Sequence, residues 1–186
     1  MSKRMGFIVN SDKCIGCHSC EMACKNFNLL DPQIRWRKVY KIQEDAYGSP
    51  TRMSMSLACN HCEHPQCLKV CPVDAYTKRE DGIVIHNDDI CIGCKMCTKA
   101  CPYQVPQYNV EKKIVQKCHM CYERQDQGLK PACVASCPVG AIDVVDLNEL
   151  SDEGYEKELP GFPDPSITNP SVRFVKPSVV KSYRAQ

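Results

Sequence analysis

The chain carries near its middle the run Cys91-Ile92-Gly93-Cys94-Lys95-Met96-Cys97-Thr98-Lys99-Ala100-Cys101-Pro102. Its cysteines are separated by two, two and three residues, and a proline follows the last of them. The 186-residue chain holds 16 cysteines, which fall into four groups of four with none left over. The groups are Cys14, Cys17, Cys20 and Cys24; Cys59, Cys62, Cys67 and Cys71; Cys91, Cys94, Cys97 and Cys101; and Cys118, Cys121, Cys133 and Cys137. So high a cysteine content restricts the chain to a disulfide scaffold or a metal-loaded protein.

The spacing disfavours a disulfide scaffold. Disulfides need pairs of cysteines whose Cα atoms and side-chain vectors suit one bridge, whereas these runs direct several sulfurs into one small volume. Near the start, residues 6–9 form an apolar stretch of only four residues. A secretory signal needs an apolar segment of roughly 7–15 residues, so we expect no export signal here. The cysteines are therefore expected to bind metal.

The run at 91–102 favours iron over zinc. Structural zinc sites use separated pairs of Cys or His, and a zinc module remains the disfavoured alternative. The run matches the bacterial ferredoxin pattern C-x2-C-x2-C-x3-C-P, in which three cysteines bind one [4Fe–4S] cluster and the fourth binds another. Gly93 gives the backbone the freedom to pass close to such a cluster.

The chain repeats this arrangement. Residues 8–17 align with residues 85–94, and residues 71–75 mirror residues 137–141. The fourth group has seven more residues between its second and third cysteines than the second group has. The repeat predicts an α+β protein built from two bacterial-type ferredoxin-like units, each with two cluster motifs.

Short elements are expected around the motifs. The apolar runs at residues 7–9, 83–85 and 142–145 predict strands, and the turn at residues 78–82 leads into the second of them. We expect short helices to begin after Cys20, Cys67, Cys97 and Cys133.

Two segments lie outside the motifs. Residues 25–58 form an insert, and the alternation at residues 35–42 predicts a strand with a basic face. That face either docks a partner, which Trp36 and Tyr40 favour slightly, or is an edge strand with protective charges. The tail at residues 160–186 holds five prolines and is expected to run extended over a surface.

Several functions are excluded. The chain has no run of 18 apolar residues, so no segment is expected to span a membrane. The net charge of +2 argues against nucleic-acid binding through phosphate contacts. There is no phosphate loop and no nucleophile–base pair. Clusters held by four thiolates offer no open position for a substrate, so the chain is expected to transfer electrons and not to be an enzyme.

Longer strings extend the pattern over roughly residues 5–150. The strings are Cys59-Asn60-His61-Cys62-Glu63-His64-Pro65-Gln66-Cys67, Lys78-Arg79-Glu80-Asp81-Gly82, Cys101-Pro102-Tyr103, Pro106-Gln107-Tyr108-Asn109, Lys117-Cys118, Cys121-Tyr122-Glu123-Arg124, Lys130-Pro131-Ala132-Cys133 and, in the tail, Val175-Lys176-Pro177. They resemble the iron–sulfur subunits of molybdopterin oxidoreductases, above all those of dimethyl sulfoxide reductases.

The resemblance implies four [4Fe–4S] clusters and their ligands. The implied sets are Cys14, Cys17, Cys20 and Cys137; Cys24, Cys118, Cys121 and Cys133; Cys59, Cys62, Cys67 and Cys101; and Cys71, Cys91, Cys94 and Cys97. The first and fourth motifs would then form one unit and the middle two the other, so that the units interleave. Relatives with Trp at the position of Cys94 hold a three-iron cluster there, whereas this chain keeps the cysteine.

The resemblance also implies partners and a location. Such a subunit relays electrons between a catalytic subunit with a molybdenum or tungsten bis-pterin cofactor and a membrane subunit that handles quinol, typically in anaerobic respiration. We expect it at the outer face of the cytoplasmic membrane through co-export with a partner, with a cytoplasmic complex as the alternative. The alternative function is a free-standing polyferredoxin, which would need neither the insert nor the tail.

The chain is expected to divide at the motifs: residues 1–58 with the first motif and insert, 59–110 with the middle motifs, 111–150 with the fourth, and 151–186 as the tail. Four lysines flank predicted ligands and either raise cluster potentials or are solvated; they are Lys25, Lys95, Lys99 and Lys117. The histidines are expected to surround the clusters or lie at the surface without binding iron; they are His18, His61, His64, His86 and His119.

Overall fold

A computed structural model describes residues 3–44 and 51–178. These residues form ten strands, five short helices and a 3₁₀ turn at Pro165–Ile167. The strands are β1 (Met5–Val9), β2 (Lys38–Glu44), β3 (Thr51–Leu57), β4 (Tyr76–Lys78), β5 (Val84–His86), β6 (Gln107–Asn109), β7 (Ile114–Gln116), β8 (Ile142–Asp146), β9 (Tyr155–Glu156) and β10 (Val172–Val175). The helices are α1 (Ser19–Phe27), α2 (Gln66–Lys69), α3 (Met96–Ala100), α4 (Tyr122–Asp126) and α5 (Ala132–Ala135).

The largest sheet joins the two ends of the described chain. Its strand order is β8-β1-β10-β9, with β1 antiparallel to β8 and parallel to β10. Phe7 and Val9 of β1 pack in the main core with Ile142 of β8. The strands predicted at residues 7–9 and 142–145 are thereby confirmed.

The prediction of a tail lying over the surface is wrong for residues 172–175. They form β10, an inner strand between β1 and β9, and Phe174 is only 1% exposed. The prolines that suggested a surface segment lie at Pro160, Pro163, Pro165, Pro170 and Pro177, all outside the strand. Because proline disrupts a ladder only where it stands within it, the segment between Pro170 and Pro177 can pair on both sides.

The insert folds as a hairpin. The strand predicted at residues 35–42 begins at Lys38 as β2, and it pairs antiparallel with β3, a strand that the sequence pattern did not predict. In β3, Met53, Met55 and Leu57 are buried in the main core. The hairpin therefore contributes apolar side chains to the protein interior. The tip of the insert, residues 45–50, lies outside the described residues.

Two small antiparallel sheets complete the fold. The pair β4–β5 confirms the strand predicted near residues 83–85, shifted by one residue, and β6 pairs with β7. The turn between β4 and β5 closes as Gly82 N donates a hydrogen bond of 3.0 Å to Arg79 O.

The predicted helices exist but begin earlier than expected. Each starts one residue before its cysteine, at Ser19, Gln66, Met96 and Ala132, so the cysteine lies inside the first turn. The helix α4 was not predicted; it occupies the seven-residue insertion of the fourth group. Its Asp126 forms an ion pair with Arg79, which joins the insertion to the turn between β4 and β5.

The repeat persists in the backbone. Gly16 and Gly93 occupy equivalent positions and both have positive φ, +67° and +66°. His18 and Lys95, two residues further on, share φ values of 64° and 63° and direct the chain into α1 and α3. Within the described residues, no helix has both the length and the apolar character needed to cross a membrane.

Candidate metal centres

Site 1 is the cavity surrounded by Cys14, Cys17, Cys20 and Cys137, and it measures about 300 Å³ including its open mouth. The loop before α1 supplies the first two cysteines, and α1 itself supplies Cys20. Much of the remaining lining is apolar and includes Ile15, Val39, Pro138, Val139 and Ile142. Four thiols thus surround a small, mostly apolar space.

Site 2 is formed by Cys24, Cys118, Cys121 and Cys133, all of them buried. Cys24 and Cys133 lie on α1 and α5, which pack against each other. Burial raises the pKa of the Cys24 thiol to about 12, and charges on Cys133 and Cys121 add to the rise. Burial also raises the pKa of Cys118 well above its usual value, with contributions from Cys24, Cys59 and Cys133. Cys24, Cys118 and Cys133 also lie together in the main buried core.

Site 3 is a cavity of about 380 Å³, including its open mouth, whose lining includes Cys59, Cys62, Cys67 and Cys101. Burial raises the pKa values of Cys62 and Cys67 to about 12. The side chain of Lys117 also lines this cavity.

Site 4 is a cavity of about 270 Å³, including its open mouth, whose lining includes Cys71, Cys91, Cys94 and Cys97. Cys94 is exposed, whereas Cys97 is buried. Val73, Ile92 and Val115 form apolar walls.

Backbone amides point at several of the sulfurs. Ala75 N donates to Cys71 Sγ at 3.3 Å, and Ala141 N donates to Cys137 Sγ at 3.2 Å. These two contacts occupy equivalent positions of the sequence repeat. Val115 N and Met120 N likewise approach Cys91 Sγ and Cys118 Sγ at 3.4 and 3.3 Å. Amide donors stabilise negative charge on sulfur, so they suit thiolate ligands of a cluster.

Short segments join sites 1 and 2. The single helix α1 carries Cys20 of site 1 and, one turn later, Cys24 of site 2. The helix α5 carries Cys133 of site 2, and Cys137 of site 1 follows it. Each of the two sites therefore takes one cysteine from the other's motif.

Sites 3 and 4 are joined in the same way. The helix α2 carries Cys67 of site 3 and is followed by Cys71 of site 4. The helix α3 carries Cys97 of site 4 and is followed by Cys101 of site 3. Cys59 of site 3 and Cys118 of site 2 lie in the same buried core cluster, which brings these two sites near each other.

The donor set fits iron–sulfur clusters. All sixteen cysteines are free thiols, and soft sulfur donors in sets of four select iron–sulfur clusters or zinc. Within residues 3–44 and 51–178, no three Cys, His, Asp or Glu residues lie close enough to hold a single metal ion. At sites 1, 3 and 4 the thiols surround cavities with room for a group of several atoms.

Two buried cations near the sites were not recognised from the sequence. The sequence pattern places Arg37 on a basic face, but the residue is 2% exposed. The adjacent Trp36 packs edge-on against His119, with 5.1 Å between the ring centroids. Lys117 is 3% exposed and donates to the carbonyls of Val84 and Cys118, so the solvated alternative is wrong for this lysine. No spacing in the sequence distinguished these two residues from the surface cations near them.

Closely spaced four-thiol sites, paired through short helices, define a ferredoxin-type iron–sulfur protein. A family model described as a 4Fe-4S dicluster domain matches residues 51–147, and a 4Fe-4S binding domain model matches residues 5–26. The chain belongs to the family of iron–sulfur subunits of molybdopterin oxidoreductases.

Three relatives illustrate the family. The chain is 41% identical over 187 aligned residues to a component of the anaerobic dimethyl sulfoxide reductase of Escherichia coli, covering 96% of this chain and 91% of the relative. It is 38% identical to a component of the tetrathionate reductase of Salmonella typhimurium, covering 78% and 59%. It is 29% identical to the iron–sulfur subunit of arsenate respiratory reductase from a Shewanella species, covering 78% and 83%.

Family membership fixes the general role. The chain is a non-catalytic electron-transfer subunit with four [4Fe–4S] clusters, of the kind found in molybdopterin enzymes of anaerobic respiration. When bound, the clusters supply one-electron chemistry. The residues of this chain hold them, shield them from water and set the charge around them.

Proposed function

We propose that each of the four sites binds one [4Fe–4S] cluster through its four cysteines, and that electrons pass along the order 1, 2, 3, 4. The observation that carries this proposal is the sharing of short segments between sites. Because Cys20 and Cys24 lie one turn apart on α1, clusters bound at sites 1 and 2 would be near neighbours. The segments after α2 and α3 bring sites 3 and 4 together in the same way.

The strand pairing supports two interleaved ferredoxin-like units. β1 precedes the first motif and pairs with β8, which follows the fourth motif. β5 precedes the third motif and pairs with β4, which follows the second motif. We therefore propose that residues 59–110 form the inner unit, and that residues 1–58 and 111–150 together form the outer one, to which residues 151–186 add β10.

Exposed apolar side chains beside the terminal sites support partners at both ends. Ile15 next to site 1 is 65% exposed, and Ile92 next to site 4 is 63% exposed. Exposed apolar groups beside a redox centre suit a protein interface, which would exclude water along the path of the electron. One end would face the molybdopterin subunit and the other a quinol-handling membrane subunit, with the complex at the outer face of the cytoplasmic membrane.

The ligand assignment can be tested in the intact complex. Cys20→Ser and Cys133→Ser should each alter one cluster, at sites 1 and 2 respectively, in iron content and in the EPR spectrum of the reduced complex. Ser136→Ala, close to Cys133 in sequence, serves as the matched control and should keep all four clusters. Four unaltered clusters in either cysteine variant would contradict the assignment.

The assembly can be tested by purification. A tagged chain isolated from anaerobically grown cells should carry with it a large subunit containing molybdenum or tungsten and a membrane-embedded subunit. Fractionation with the outer face of the membrane is expected. A brown protein that purifies alone, under conditions in which its complex would survive, would instead indicate a free-standing polyferredoxin.

A further inference from the structure

We propose that Arg37, acting partly through Ser56, raises the reduction potentials of the clusters at sites 1 and 2. The inference rests on the proposed ligand sets and adds a role for two residues that bind no iron. Arg37 is a positioning and charge-setting residue for electron transfer.

Arg37 lies inside the protein just before β2. Its guanidinium stands 4.4 Å above the ring centroid of Phe7, in the core beneath the main sheet. Its Nη1 atom donates two hydrogen bonds of 3.1 Å, one to the carbonyl oxygen of Ser56 and one to the Ser56 hydroxyl. The contact with Phe7 and the two hydrogen bonds to Ser56 thus hold the guanidinium in one position.

The Ser56 hydroxyl continues this contact to a predicted ligand. Ser56 Oγ lies 3.2 Å from Cys20 Sγ. A guanidinium has donors only, so Ser56 Oγ accepts from Arg37 and its own proton remains available for the sulfur. A hydrogen bond to a cluster sulfur stabilises negative charge there and favours the reduced state.

The rest of the guanidinium has no such partner. Among the described residues, Nε and Nη2 of Arg37 are buried without a hydrogen bond, and no carboxylate pairs with the side chain. A buried, unpaired cation is costly unless an anion compensates for it. The cysteines of sites 1 and 2 become negatively charged when they bind a cluster. Burial disfavours the charged guanidinium, but negative charge on Cys133, Cys118, Cys20 and Cys24 holds its pKa above the usual value.

The buried charge of Arg37 would stabilise the reduced state of a nearby cluster more than its oxidised state. Reduction adds one negative charge to a cluster, and a cation fixed nearby in a poorly screened interior stabilises that added charge. Lys25, near site 2, carries the same charge in a different environment. It follows Cys24 directly, but its Nζ atom donates to the carbonyls of Asp31 and Pro32, and the latter contact is solvent-exposed. Water and salt screen such a charge.

The test is an anaerobic redox titration of the intact complex, followed by EPR. Arg37→Gln should reduce the one-electron reduction equilibrium constants of two clusters by at least tenfold, a fall of ~59 mV each. Arg37→Lys keeps the charge and should recover most of both shifts. Ser56→Ala should lower only the potential of site 1. Lys25→Gln, the matched loss of one charge, should change the reduction equilibrium constant of each cluster by no more than a few-fold.

The outcomes separate this inference from the ligand assignment. Unchanged potentials in Arg37→Gln, with full iron content, would overturn the inference and leave the ligand sets standing. Equal shifts in Arg37→Lys and Arg37→Gln would indicate a packing role and would also overturn it. If Arg37→Gln fails to retain its clusters, Ser56→Ala decides: a lowered potential at site 1 alone supports the inference, and unchanged potentials contradict it. The Cys20→Ser and Cys133→Ser spectra identify which signals belong to sites 1 and 2.

Discussion

Gly93 and the carbonyl oxygen of Lys113 meet so closely that a Cβ atom on Gly93 would lie 2.1 Å from that oxygen. Gly93 also has a φ of +66°, a conformation that strains residues with side chains. The loop of site 4 and the turn between β6 and β7 therefore touch backbone to backbone. The glycine in the third motif is required by this contact as well as by the turn itself.

Gly93→Ala should consequently disrupt site 4. The added methyl group would push the loop away from Lys113 and displace the neighbouring Cys94, because a backbone oxygen cannot move aside as a flexible side chain would. We expect loss of one cluster of four, measured as iron per chain and by EPR.

Gly140→Ala is the matched control for this substitution. Gly140 has a φ of +60°, but no atom lies within 4 Å of its would-be Cβ. This variant should cost only the backbone strain, about 1–2 kcal/mol, and should keep every cluster. Equal cluster loss in both variants would show that strain, and not the contact with Lys113, governs the site.

Asp126 and Arg79 should contribute modestly to stability. The guanidinium of Arg79 binds both carboxylate oxygens of Asp126, at 2.7 and 3.0 Å, and also lies 5.0 Å from the ring centroid of Tyr122. Because Asp126 is largely exposed, Asp126→Asn should lower the free energy of unfolding by about 0.5–1 kcal/mol. Denaturant unfolding of the loaded protein would measure this loss.

The surface pair of Lys130 and Asp143 offers a comparison. Lys130 is much more exposed than Arg79, whereas Asp143 and Asp126 are exposed to a similar extent. Asp143→Asn should therefore have a smaller effect than Asp126→Asn. The opposite ranking would show that the bidentate contact does not help to hold α4 against the turn between β4 and β5.

The sequence predicted the parts of the fold that cysteine spacing controls. The four groups, the repeat and the strands around Phe7 and Ile142 follow from local pattern, because each motif is short and its residues are neighbours in the chain. The inner strand β10 was not predicted, because its pairing with β1 joins residues far apart in sequence. The prolines on either side of it are also typical of a surface segment.

The partition of cysteines and the buried cations illustrate a second limit. Spacing shows only that a fourth cysteine such as Cys101 leaves its own group; the family resemblance supplied the partner set. Arg37 looks like its exposed neighbours Arg35 and Lys41 in the sequence. Its burial depends on the hairpin turning its side chain towards Phe7, a tertiary contact that no local pattern encodes.

Cys94→Ser should convert the cluster at site 4 into a three-iron centre. Cys94 is the exposed cysteine of that site, so an iron bound to it would be the one that solvent reaches most easily once the thiolate is lost. The remaining ligands, Cys71, Cys91 and Cys97, would still hold three irons. An EPR signal from a three-iron cluster in the oxidised complex would verify this outcome.

Thr98→Ala is a suitable control for that experiment. Thr98 lies in the same motif, and its hydroxyl donates only to the carbonyl oxygen of Lys95. This variant should keep four [4Fe–4S] clusters. A spectrum of Cys94→Ser identical to that of Thr98→Ala would remove Cys94 from the ligand set of site 4.

Cluster loading should depend on pH in a defined direction. Burial raises the pKa of Cys24, Cys62 and Cys67 to about 12, so in the cluster-free fold these thiols keep their protons at neutral pH. Clusters bind thiolates, and loading must release those protons. Affinity for iron and sulfide should therefore rise as pH increases, with most of the rise below the raised pKa values. Chelator competition across pH 7–9 would measure it, and affinity that is independent of pH over this interval would show that the thiols are already ionised before loading.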